Sequence, residues 1–202
     1  MILDALGEVD YGIYNVVGGL SVSFIFFSSS LTNSTQRFLT YELGRGQDGD
    51  VKRVFSFSLL LYSLIAMAVL VVGLTVGGWY VTHKLVVPPE QIGAAKIVLF
   101  TSIVTLAFSF IFSVFESALI ARENMKIYAY IGLIDALARL ALAYTLLVVN
   151  NRLVFYAWAM LVVQLTPRLI MALYCRRQYP EASFSWTWDK RLFREMFGFT
   201  GW

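Results

Sequence analysis

The chain has 202 residues, of which 58% are hydrophobic and 14% charged, with a formal net charge of +3. Soluble domains average roughly 45–50% apolar and about 25% charged residues, so a mean hydropathy of +0.69 excludes an ordinary water-soluble globule and makes lipid the solvent. The basic balance does not indicate nucleic acid either, because Lys and Arg are scattered over short segments between apolar runs and line no common face.

Asp4, Glu8 and Asp10 make the opening residues acidic. A secretory leader needs a basic start, so this segment reads as structure. Five runs then reach the roughly 20 residues needed to cross the hydrocarbon core. They cover residues 12–41, 54–81, 97–121, 127–149 and 153–175. Gly44 and Gly46 suit a helix stop after the first, and Pro88-Pro89-Glu90 a loop leading into the third. Connections this short make neighbouring spans antiparallel. The expected fold is an all-α integral membrane bundle of five spans over residues 1–178. An amphipathic connector (residues 179–202) follows, within which Phe197 opens a sixth apolar run.

Loop charge sets the orientation. Arg45, Lys52, Arg53, Arg122, Lys126, Arg176, Arg177, Lys190, Arg191 and Arg194 fall on one side, and only Lys84, Lys96 and Arg152 on the other. By the positive-inside rule the first side is cytoplasmic. The N-terminus is then outside and the C-terminus inside. An N-out chain with an odd number of spans suggests that a preceding helix belongs to the protein.

Each residue of a helix advances 100°, so polar faces can be tested by arithmetic. In the first span Asn15, Gly19, Ser23, Ser30, Asn33 and Arg37 share an arc of about 80°, although Arg37 could equally snorkel to the interface. In the second, Gly73-Leu74-Thr75-Val76-Gly77 is a GxxxG pattern, a helix-packing device more often than a ligand contact. In the third, Ser102, Thr105, Ser109, Ser113 and Glu116 share a similar arc. Small hydroxyls there could serve close packing, but a carboxylate gains nothing from packing alone.

The fourth span carries Asp135 and Arg139 at its middle, with Tyr128, Gly132 and Ala143 on the same face. An ionisable residue at mid-bilayer costs about 2.5–3.5 kcal/mol on insertion scales, so it needs a partner or a polar cavity. Acid and base four apart can pair on one face. The fifth span has Gln164 and Arg168 flanking Pro167, which bends the chain. The three intramembrane arginines, Arg37, Arg139 and Arg168, outnumber the acids Glu116 and Asp135. Guanidinium forks suit phosphate oxygens, so a cavity lined by them would favour an anionic substrate.

Enzyme chemistry finds little footing. The single Cys175 and single His83 make no metal cluster, and neither GxSxG nor a P-loop occurs. No cofactor is expected beyond a coupling ion of unspecified kind.

Three segments resemble those of polysaccharide (O-antigen type) flippases. They are residues 5–17, Ala-Leu-Gly-Glu-Val-Asp-Tyr-Gly-Ile-Tyr-Asn-Val-Val; Thr35-Gln36-Arg37-Phe38 through Glu42-Leu43-Gly44-Arg45-Gly46; and Ala121-Arg122-Glu123-Asn124-Met125-Lys126. The resemblance covers nearly the whole chain and extends to the larger exporter group that includes MATE transporters and the lipid II flippase. It implies a bacterial inner-membrane protein of two six-helix lobes facing a central cavity. This chain would be the N-terminal lobe without its first helix, with the C-terminal lobe and the bilayer as partners and no nucleic acid. It further implies a polyprenyl-pyrophosphate oligosaccharide as substrate, its phosphates held by Arg37, Arg139 and Arg168. Asn33, Ser109, Ser113, Glu116, Asp135 and Gln164 would be the polar cavity residues. The alternative functions are a MATE-like, ion-coupled exporter of small molecules and a non-transporting scaffold in glycan synthesis.

Overall fold

Residues 28–83, 91–145 and 152–185 are described by a computed structural model, and all regular structure among them is helical. Helix α1 occupies residues 28–44 and is followed by a 3-10 turn, Gly46–Asp48. Then come α2 (Val51–His83), α3 (Ile92–Ala121), α4 (Met125–Thr145) and α5 (Arg152–Gln178). The last four are long and apolar enough to cross a membrane. Several sequence expectations lie outside the described residues: the first half of the 12–41 span, the Pro88-Pro89 loop, residues 146–149 and the connector from 186 onward.

The glycines between α1 and α2 are required by the turn. Gly46 has φ +62°, and a Cβ on Gly49 would lie 1.9 Å from the Glu42 carbonyl oxygen. The Glu42 carboxylate accepts from the Asp50 amide at 3.0 Å. Asp50 Oδ1 in turn accepts from the Arg53 amide at 3.1 Å, capping α2. This cap starts α2 three residues ahead of the apolar run. Helix α3 likewise begins five residues early, because Ala95 is fully buried in a cluster with Val81, Val98 and Leu142.

Helix α3 is the centre of the bundle, packing against α2 on one side and α5 on the other. The GxxxG pattern of α2 makes this approach possible. A Cβ on Gly73 would sit 3.0 Å from the Ile103 side chain, and one on Gly77 3.0 Å from Leu99. Gly77→Val should therefore push α2 off α3. Overpacking typically costs about 1–3 kcal/mol, which a lowered midpoint of thermal unfolding in detergent would report.

Tyr62 closes the α1–α2 contact. Fully buried, it donates to the Leu31 carbonyl at 2.5 Å and lies 2.5 Å from Thr35 Oγ1. Ser117 Oγ, on α3, donates to the Thr32 carbonyl at 3.0 Å, so α1 is tied to both neighbours. Interhelical hydrogen bonds in membranes average about 0.6 kcal/mol with a maximum near 1.7. Tyr62→Phe should thus lower stability by about 1 kcal/mol, read by the same thermal assay without loss of helix content.

The outer surface is apolar in the manner of a lipid-facing one. On α2, Leu64, Met67, Val71, Val72 and Val76 are each more than half exposed. Helix α4 is the least enclosed element, with Leu142 its single buried residue against sixteen on α3. It packs chiefly on α5.

The helices alternate in direction, and this gathers basic residues at one end: Arg45, Lys52, Arg53, Arg122, Lys126, Arg176 and Arg177 all lie at helix termini or turns of that end. The chain after α5 folds back across this basic end. Ser56 Oγ donates to the Ser183 carbonyl at 3.2 Å and accepts from the Ser185 amide at 3.0 Å. Ala182 is buried in the same core cluster as Leu39, Phe55 and Ala118.

Candidate functional site

The polar residues of three helices converge between α3, α4 and α5. On α4, Tyr128, Asp135 and Arg139 fall within an arc of about 40°. Arg139 Nε donates to Asp135 Oδ2 at 2.8 Å, and the pair is half open, with side-chain exposures of 45% and 32%. Asp135 shares the inward stripe of Ile127, Ile131, Ala138 and Leu142, all partly or fully buried. The intrahelical pair expected from the spacing is therefore formed, and it points toward the bundle's polar groups.

Helix α3 brings Ser109 and Glu116, two turns apart on one face. Tyr128 Oη donates to Glu116 Oε1 at 3.0 Å, across the α3–α4 contact. Helix α5 brings Arg168, which is partly buried and donates from Nη1 to Ser109 Oγ. Its guanidinium lies within electrostatic reach of Glu116, Asp135 and Arg139. Pro167, just before it, is buried inside the helix and cannot donate to the Val163 carbonyl. Gln164 lies one turn away on the same helix and is partly buried.

The result is a neutral quartet of two guanidiniums and two carboxylates, with the hydroxyls of Ser109 and Tyr128 as hydrogen-bonding links. Such an assembly can accept a polar or charged ligand by exchanging internal contacts for external ones. Arg139 has the greater exposure, so it can turn toward a ligand with less desolvation than Arg168. Its fork binds carboxylate and phosphate oxygens alike, so Asp135 and an anionic ligand would compete for it.

Other residues singled out from the sequence take different places. Asn33 and Arg37 on α1 are exposed. Ser113 is buried, with its hydroxyl donated to the Phe110 carbonyl at 2.7 Å on its own helix. Thr105 is likewise buried and bonds Thr101 O at 2.7 Å. The Thr105, Ser109 and Ser113 hydroxyls of the α3 stripe thus all donate to their own helix, Ser109 to the Thr105 carbonyl at 2.8 Å. Ser109 also accepts from Arg168, and Glu116 from Tyr128, across the helix contacts. Tyr128 completes the quartet's contacts; only its shared face with Asp135 hinted at this in the sequence.

A second polar group, missed by periodicity altogether, sits at the basic end. Arg122 Nη2 pairs with Glu181 Oε2 at 2.6 Å, and its guanidinium carbon stacks 4.2 Å from the Tyr179 ring centroid. Asn124 Nδ2 donates to both Tyr174 Oη and Tyr179 Oη at 3.1 Å. The Arg122-Glu123-Asn124 segment is therefore a pinned turn. In the sequence it shows as a short charged stretch between two apolar runs, the same stretch that carries the third segment of the flippase resemblance. His83 ends α2 at the opposite end, stacked on Trp79 with ring centroids 5.7 Å apart. Among the described residues no group of His, Cys, Asp and Glu could hold a metal ion.

No protein-family model, curated protein or solved structure matches this chain.

Proposed function

We propose that this chain is the N-terminal lobe of a bacterial inner-membrane transporter that flips a lipid-linked oligosaccharide from the cytoplasmic to the outer leaflet. The observation that carries the reading is the half-open Arg139–Asp135 pair beside Arg168 and Glu116, on helices long and apolar enough to span a bilayer. Charged groups at that depth are expensive and mark substrate or ion pathways. In this reading Arg139 and Arg168 hold the phosphates, Asp135 competes for Arg139 and so permits release, and Ser109, Glu116 and Gln164 bond sugar hydroxyls or water. Arg37 and Asn33, exposed on α1, would meet the headgroup on its way in. The basic end would face the cytoplasm, and a C-terminal lobe would close the cavity.

A second reading follows from the equal number of acids and bases in the quartet. In an ion-coupled exporter of small cations, Glu116 and Asp135 would bind the proton or sodium. One comparison separates the two. In cells making the full-length protein, Arg139→Ala and Arg168→Ala should abolish surface display of the glycan, while Glu116→Gln and Asp135→Asn leave substantial activity. If the acid variants are the inactive ones and the arginine variants transport normally, the cation exporter replaces the flippase.

A further inference from the structure

Helix α4 is held differently at its two ends. At the basic end it starts from the turn that Arg122 and Asn124 pin to Glu181, Tyr174 and Tyr179. Glu123 within this turn has φ +55°, a left-handed conformation that breaks the helical path between α3 and α4. Met125 N donates to the Glu123 carbonyl at 2.8 Å, so the reversal is tight. Beyond the turn, α4 buries Leu142 alone and packs chiefly on α5. Among the described residues, one side-chain hydrogen bond runs from α4 to another helix, that of Tyr128 with Glu116.

Few buried apolar contacts identify the elements of a fold that open most readily. Hinges are a few element-terminal residues that absorb a change in backbone angle while their surroundings stay fixed. Both conditions meet at α4. The remaining helices are cross-tied by Tyr62, Ser117 and the returning 179–185 segment, and none depends on α4 for those ties.

We propose that α4 is a gate helix that swings about the fixed Arg122–Asn124 turn, with the Tyr128–Glu116 hydrogen bond as its clasp. Swinging carries Asp135 and Arg139 away from Arg168 and Glu116, opening the quartet. Displacement grows with distance from the pivot, so it is largest toward Thr145 and must withdraw Leu142 from its cluster with Val81, Val98 and Leu153. The charged group within electrostatic reach of the clasp's Glu116 is Arg168 from α5, which also feels Asp135 and Arg139 of α4. Any charged ligand entering the quartet would bias the gate, but the motion belongs to the helix and not to a particular cargo.

The test is a pair of distance measurements between spin labels on the full-length protein in lipid nanodiscs, with Cys175 replaced by Ser. Labels at Leu140→Cys and Val76→Cys, both exposed and far from the pivot, report on α4 against α2. Labels at Phe100→Cys and Val76→Cys report on α3 against α2 as the reference. Tyr128→Phe removes the clasp while keeping the ring. The expected result is a second, displaced population for the α4 pair in Tyr128→Phe, with the reference pair unchanged. Identical α4 distributions with and without the hydroxyl would overturn the gate, as would equal shifts in both pairs. Because no transport is measured, this outcome is independent of the flippase assignment.

Discussion

Under the proposed flippase reading, Arg168→Ala is expected to abolish export of the lipid-linked glycan while leaving the protein at its normal level in the membrane. A hydrogen bond to a charged group is worth about 1.5–3 kcal/mol, and every 1.4 kcal/mol is tenfold in an equilibrium constant. Losing one phosphate contact therefore reduces binding by about 10- to 150-fold. Electrostatics adds to this, since removing Arg168 leaves Glu116 and Asp135 facing a single guanidinium and turns a neutral quartet negative. In the proposed flippase an anionic headgroup would then be repelled. Arg168→Lys keeps the charge but not the fork that reaches Ser109, and should retain partial activity. Arg168→Met keeps the stem that packs beside Pro167 and controls for lost volume. Surface glycan display, normalised to protein level by immunoblot, measures all three. Wild-type export by Arg168→Ala would remove the phosphate role from α5.

How far these contacts could be read from the sequence depends on whether they lie within one helix or between helices. The Asp135–Arg139 pair follows from 100° per residue alone, and it forms at 2.8 Å. The apolar runs also place α2, α3 and α5 to within a few residues, because hydrocarbon thickness sets a minimum length for any span. Contacts between helices depend on how each helix is rotated, which the pattern of a single span leaves open. Tyr128 with Glu116 and Arg168 with Ser109 are of this kind. The hydroxyl stripe of α3 shows the same limit from another side. Thr105 and Ser113 have the spacing of a wet face, yet they bond carbonyls of their own helix in the packed interior. A Ser or Thr hydroxyl satisfied by its own turn costs little to bury, so identical spacing serves a core or a cavity equally well. Asp50 and Gly49 were hidden in a plainly polar loop, where the signal lies in turn stereochemistry and not in hydropathy.

The Asp135–Arg139 pair is best interrogated by a double-mutant cycle, whose expected pattern separates a packing role from a ligand role. Exposed i,i+4 pairs are worth only about 0.3–0.5 kcal/mol. At exposures of 45% and 32% this pair is too open for the 3–5 kcal/mol seen on breaking buried ones. The charge left behind by a single substitution matters more. A lone Asp or Arg at the centre of a spanning helix costs about 2.5–3.5 kcal/mol of insertion. Asp135→Ala and Arg139→Ala should each reduce the amount of correctly inserted protein, and the double variant should recover it. Export per inserted molecule should follow a different rule. Asp135→Ala keeps the arginine and should still bind the anionic headgroup, with slower release because the competing carboxylate is gone. Arg139→Ala and the double variant should both fail to export, however well they insert. If the pair served packing alone, the double variant would export like the wild type as soon as its level recovered. That single result would return Arg139 to the role of a neutralised structural charge and leave Arg168 as the candidate for phosphate recognition.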